Sequence, residues 1–202
     1  MPAPRQERLT VIEPIQGKGS TIAWARLTFV RSMQPATMRT PQERLEQVAR
    51  LLVPVFLFLV TAIGIAMRLA TARMIYLIGL RRSYPAIAYL AYAFSKLGVA
   101  ATQLGSPSGI DAEILSFSQP EDALLAISFS PYAAGTVALA RDAQARGTPV
   151  VAITDSPFSP LVEFASPWLE VVEADFEGFR SPAATFALAM SLAVAVAERR
   201  AG

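Results

Sequence analysis

The sequence predicts a doubly wound α/β domain built on a parallel sheet, preceded by an N-terminal helical arm. Three observations predict it. From residue 74 onward, short apolar runs alternate with helical patterns five times, the order that βαβ units impose. The runs are continuously apolar rather than alternating, as strands covered on both faces are. The 202 residues are 53% hydrophobic and only 17% charged, which is ample for a substantial core.

The elements follow in order. Residues 1–40 carry four prolines, several arginines and no sustained period, and read as a poorly ordered arm. No clean pair of amphipathic helices around a short turn stands out there, so a DNA-binding helical unit is not legible. At "TPQERLEQVARLL" the pattern becomes helical: Thr40 is an N-cap, Pro41 takes the first helical position, and Glu43 stands at the capping-box spacing. Next, "LLVPVFLFLVTAIGIAM" runs 17 residues without a charge between Arg50 and Arg68. It reads as a buried or subunit-interface helix feeding the next domain, in preference to a membrane span, for which it is at the lower limit of length. Beyond it come "MIYLIGL" (74–80) as a strand, 83–98 as a helix stopped by Gly98, and "VAATQL" (99–104) as a second strand. A helix over 109–118, a strand over 122–128, a helix over 131–147 stopped by Gly147, and a strand over 149–154 follow. A short helix (159–165), a fifth strand (168–173) and a long apolar helix (181–201) ending in basic residues complete the chain. The domain division expected is 1–40 arm, 41–73 linker helix with apolar segment, and 74–202 α/β domain.

Composition removes whole classes of chemistry. There is no cysteine, so disulfides and thiolate metal sites are excluded. There is no histidine, which removes the commonest general base, the commonest zinc ligand and every Ser-His triad. The net charge of +2 reflects a small arginine excess, not a basic patch, and gives weak support for nucleic-acid binding. No cofactor is expected.

In a sheet of this kind, ligands bind outside the carboxyl ends of the strands. Three of those ends carry polar residues. The first strand ends in Arg81, Arg82 and Ser83; the third in Ser128, Ser130 and Tyr132; the fourth in Thr154, Asp155, Ser156 and Ser159. Each runs into a helix start, where free N–H groups and the helix dipole favour an anion. Hydroxyls at a helix start commonly serve only as caps. Three such ends converging on one sheet edge favour a binding site. The spaced glycines of a dinucleotide fingerprint and the Gly-Lys-Ser/Thr of a phosphate loop are both missing.

The pieces "IYLIGLRRSYPAIAYLAYAFSKLG", "EDALLAISFSPYAAGTVALARDAQARGTPVVAITDSPFSPL" and "FRSPAATFALAMSLAVAVA" resemble, in this order, a SIS (sugar isomerase) domain. More narrowly, they resemble the effector domain of MurR/RpiR-type bacterial transcriptional regulators, over about 127 of the 202 residues. The resemblance implies a five-stranded, flavodoxin-like three-layer α/β/α domain, a homodimer or tetramer formed through it, and a phosphosugar or related sugar ligand at the strand ends. By motif position, Ser83 matches the serine after the first strand, and Ser128 and Ser130 match the serines of a Ser-x-Ser-Gly-x-Thr phosphate loop. This sequence departs from that loop: its glycine falls on Pro131 and its threonine on Ala133. One hydroxyl is lost and Pro131 supplies no N–H. Thr136, a turn further on, does not replace it directly. The backbone N–H groups of Tyr132 and Ala133 stay as donors, Arg81 or Arg82 compensates, and Ser156 joins the set; otherwise the ligand is a sugar acid or an unphosphorylated sugar.

The expected function is a non-enzymatic, cytoplasmic sugar-phosphate sensor. DNA is a partner by family membership only, if a helix-turn-helix is present in the native chain. The alternative is an aldose–ketose isomerase on the same fold, which needs a base beside the carbonyl. Without histidine, Glu113, Glu163, Glu173 and Glu177 are its candidates; each is more simply a solvated carboxylate.

Overall fold

The computed structural model describes residues 6–17, 20–32 and 41–202. The chain divides into two compact units, Met1–Val53 and Pro54–Gly202. In the first, β1 (Gln6–Gly17) pairs antiparallel with β2 (Ser20–Ser32), with a register shift at Ile15/Gln16. The arm expected over residues 1–40 falls partly outside the described residues, as does the cap at Thr40. The stretches inside it are rich in β-branched and aromatic types (Thr10–Val11–Ile12, Thr28–Phe29–Val30), which favour strands. A period-2 reading misses them because polar and apolar positions do not alternate cleanly.

Helix α1 (Pro41–Thr71) runs unbroken through Pro54. It is long and apolar enough to cross a membrane by length and composition. It is not buried within its own chain, contrary to one of the readings given for 51–67: Leu51 and Phe56 are 67% and 65% exposed. Among the described residues, only its last turns pack. Ile65, Ala66 and Leu69 enter the core below the sheet, so the α/β unit begins physically well before the first strand.

Five parallel strands form the sheet: β3 (Ile75–Ile78), β4 (Ala101–Gln103), β5 (Ala123–Ile127), β6 (Val150–Thr154) and β7 (Trp168–Glu170), in spatial order β4-β3-β5-β6-β7. The chain moves from β3 to β4 at one edge, then crosses back past β3 to β5. That reversal is the topological switch point, and it opens a crevice above β3 and β5. All residues of β3, β5 and β6 are buried, which explains their unbroken apolar runs. Alternate residues serve opposite faces. Ile75, Leu77, Leu125, Ile127, Val151 and Ile153 face α2 (Tyr84–Lys96), α5 (Ala183–Ala201) and the end of α1. Tyr76, Ile78, Leu124, Ala126, Val150 and Ala152 face α3 (Asp111–Leu115) and α4 (Ala134–Ala145). The result is the three-layer arrangement expected.

Boundaries differ locally. The helix read over 109–118 is only Asp111–Leu115, and that read over 159–165 is a single 3₁₀ turn, Pro160–Glu163. Two residues each of β8 (Asp175–Phe176) and β9 (Phe179–Arg180) make a small hairpin that the sequence reading lacks. Two polar staples fix the unit. The buried Asp122 carboxylate accepts from Arg73 Nη2 (2.9 Å) and from the backbone N–H of Met74 (3.1 Å) and Gln119 (2.9 Å), tying the starts of β3 and β5 together. Arg200, near the end of α5, donates to the carbonyls of Leu69 (3.1 Å) and Ala72 at the C-terminus of α1, where helix carbonyls run short of backbone donors.

Candidate functional site

The crevice is built from backbone outward. Gly79 follows β3 where three elements meet. A Cβ there would stand 2.7 Å from Ile87 Cγ1, 3.0 Å from the Ile127 carbonyl and 3.1 Å from Ser83 Cβ, so only glycine lets the β3 end approach β5 this closely. Leu80 N–H then donates to Thr136 Oγ1 at 3.3 Å. This bond clips the β3 end to the first turn of α4, and gives the buried Thr136 a structural role. Arg81 adopts φ = 57°, a left-handed conformation costly for a side chain with a Cβ. It opens the 3₁₀ turn Arg81–Ser83 that leads into α2.

On β5, the Ser128 hydroxyl accepts from Ala133 N–H (3.3 Å), while its carbonyl accepts from Thr154 Oγ1 (2.9 Å). Ser130 works through its backbone: its N–H donates to Asp155 Oδ2 (3.0 Å), and its carbonyl accepts from Arg82 Nη2 (3.1 Å) and Arg180 Nη1 (3.2 Å). Asp155 thereby becomes a hub. Its Oδ2 lies 3.7 Å from Arg82 Nη2 and 3.4 Å from Arg180 Nη1, and Arg180 Nε pairs with Asp175 at 2.8 Å. The guanidinium of Arg180 and the Gly178 N–H hold the Asp175 carboxyl below its ordinary range. Burial, reinforced by the Asp155 carboxylate, pushes the Tyr132 hydroxyl above its usual value. Arg82 also stacks on Phe129, 5.1 Å from the ring centroid.

Three adjoining cavities open here. One of about 120 Å³ is lined by Arg81, Arg82, Ser83, Ser128, Phe129 and Ala133 among others. It has the size and the position for a small anion. A second, about 270 Å³, lies between Arg82, Phe129, Asp155, Glu173 and Arg180. A third, about 250 Å³, shares Arg82, Phe129, Glu173 and Arg180 and adds the start of α5. Of the expected ligand residues, Ser83, Ser128, Ala133, Arg81 and Arg82 therefore converge on one cavity. Tyr132 and Ser156 stand beside Asp155 instead, and the Ser156 hydroxyl accepts from Phe158 N–H (3.1 Å). Sequence reasoning missed Arg180, Asp175 and Phe129, and placed Asp155 at the strand end without assigning it a role. Among the described residues no group of three carboxylates forms a metal site.

The family model of the SIS domain matches residues 68–197. The chain belongs to the SIS domain family. Solved SIS-type structures share its fold. The sugar isomerase domain of an RpiR transcription factor from Sphaerobacter thermophilus aligns with a TM-score of 0.65 at 24% identity, covering 70% of this chain and 79% of that one. The Vibrio vulnificus NanR protein, solved with ManNAc-6P, aligns with a TM-score of 0.61 at 25% identity, over 68% of this chain and 53% of that one. A Methanococcus jannaschii protein, whose structure was taken to imply a 3-hexulose-6-phosphate isomerase, aligns with a TM-score of 0.56 at 18% identity, over 69% and 75%. No curated protein matches the sequence. The SIS fold thus accommodates regulators and isomerases alike, and the choice between them rests on the site.

Proposed function

We propose that this SIS domain is the ligand-sensing effector of an RpiR-type regulator: a cytoplasmic, self-associating domain that binds a sugar phosphate or related sugar derivative without transforming it. One observation carries the reading. The cavity above the switch point is lined by Ser83, Ser128, Arg81 and Arg82, all donors suited to an oxyanion, while the four glutamates weighed as an isomerase's base are engaged or elsewhere. Glu113, Glu163 and Glu177 are exposed and line none of the three cavities. Glu173 does line two of them, but both its oxygens are occupied: Oε1 by Thr185 N–H (2.6 Å) and Oγ1 (2.5 Å), Oε2 by Ala184 N–H (3.1 Å). It caps α5. A base whose lone pairs already hold a helix terminus is poorly placed to take a proton.

The RpiR and NanR neighbours support the regulator reading, and the ManNAc-6P named for NanR supplies a first probe. The test is calorimetry of the full chain with ManNAc-6P, fructose 6-phosphate and glucosamine 6-phosphate, with NMR of each recovered sugar. Binding without conversion, weakened in Ser128→Ala and Ser83→Ala, supports the sensor. Aldose–ketose conversion, lost in Glu173→Gln, establishes the isomerase. DNA recognition by the full chain is a separate question, answered by a mobility shift.

A further inference from the structure

We infer that Arg82 and Arg180 form a two-guanidinium clamp for an oxyanion of the ligand, phosphate or carboxylate, and that Asp155 is the internal counterion holding the clamp when no ligand is present. The inference rests on the sensor reading and adds a second anion grip beside the 120 Å³ cavity, in the two larger cavities that share Arg82 with it.

The backbone loop after β5 has few donors left. Pro131 has none, Ala133 N–H is taken by Ser128 Oγ, and Ser130 N–H by Asp155. An anion entering here must find its donors in side chains. Arg82 arrives from the end of β3 and Arg180 from the β8–β9 hairpin, roughly a hundred residues apart in sequence. They converge on the same two acceptors, the Ser130 carbonyl and Asp155 Oδ2. Two cations held that close need an anion between them. Asp155 supplies it from within the chain.

The pair retains donor capacity. Each guanidinium carries five N–H groups. Among the described residues, Arg82 spends only Nη2, and Arg180 spends Nε and Nη1. Both side chains are 36% exposed and both line the 270 Å³ and 250 Å³ cavities. The surrounding walls join the apolar side chains of Phe129, Val171, Val172, Phe179 and Pro182 to the carboxylates of Glu173, held by the start of α5, and Asp175, paired with Arg180 Nε. The Phe129 ring, itself buried, fixes the plane of Arg82. A bidentate oxyanion fits such a fork. Its arrival displaces Asp155 from the guanidiniums.

The test uses the full chain, with calorimetry against inorganic phosphate, ManNAc-6P, gluconate and neutral ManNAc. Arg180→Ala lowers affinity for the anionic probes by about tenfold or more, and Arg180→Lys recovers part of it. Neutral ManNAc is unaffected. Asp155→Asn, which keeps the shape and removes the competing charge, raises affinity for the same probes several-fold. Preference for ManNAc-6P over gluconate assigns the clamp to phosphate, and the reverse to a sugar acid. Wild-type affinity in Arg180→Ala overturns the clamp, as does failure of the wild type to bind any of the three anions. Sugar-phosphate binding that survives Arg180→Ala leaves the sensor standing without the clamp. Phosphate binding that Arg180→Ala abolishes, with no preference for sugars, leaves the clamp standing without the sensor. Circular dichroism on each variant separates misfolding from lost contacts.

Discussion

Glu173→Ala separates a helix cap from a catalytic base. The carboxylate accepts from Ala184 N–H, Thr185 N–H and Thr185 Oγ1. Ala184 is exposed, so water replaces its partner at little cost. Thr185 is 2% exposed but lines the 250 Å³ cavity, so water entering there reaches its hydroxyl, and its N–H is left orphaned. One such orphaned donor costs about 1–3 kcal/mol, and loss of an anion at a helix N-terminus adds about 0.3–1 kcal/mol. A total near 2 kcal/mol lowers Tm by about 4–8 °C for a chain of this length. Glu173→Gln keeps one carbonyl oxygen for Thr185, and its cost falls to roughly the charge–dipole share, about 0.3–1 kcal/mol. Thermal and urea unfolding followed by circular dichroism, with an unchanged urea slope, measure both. An alanine variant as stable as the wild type, or a glutamine variant as damaged as the alanine, refutes the capping argument and returns Glu173 to the candidates for a base.

Other consequences are as concrete. Gly79→Ala forces a Cβ against the Ile127 carbonyl and Ile87; urea unfolding is expected to show a loss of about 1–3 kcal/mol. Asp122→Ala strands the Met74 and Gln119 N–H groups, while the half-exposed Arg73 loses little; about 2–4 kcal/mol is expected, and an unchanged unfolding midpoint contradicts the staple. The Tyr132 hydroxyl ionises above 10.0, so below pH 10 folded and unfolded chains are both neutral there and its contribution to stability is complete. As pH rises past that value the unfolded chain ionises first and the contribution is lost. UV titration, taken as the difference from Tyr132→Phe, reads the midpoint. Asp155→Asn lowers it without restoring the ordinary value, since burial is the larger cause.

The sheet was legible because burial on both faces leaves unbroken apolar runs, and the strand ends because polar residues interrupt those runs abruptly, as at Ser83, Ser128 and Asp155. Short-range chemistry also read true: Gly98 and Gly147, expected to stop their helices, have φ of 70° and 82°. The β8–β9 hairpin was invisible because two-residue strands have no period. Arg180 was invisible for a related reason: its partners, Ser130 and Asp155, lie 50 and 25 residues away, and nothing local marks an arginine that will meet them. Glu173 departs in another way: read as more simply a solvated carboxylate, it is claimed by the terminus of α5, folded back from a later stretch of chain.

That same helix has a mechanical consequence. Its 19 residues make a rod of about 28 Å. One end, with Thr185 seated on Glu173, forms a wall of the cavities; the other, through Arg200, grips the carbonyls that close α1. A hydrogen-bonded helix hardly changes length, so a shift at its pocket end arrives almost undiminished at its far end. The crevice above the sheet and the last turn of α1 are therefore joined by a single stiff strut, with one carboxylate and one guanidinium as its two pins.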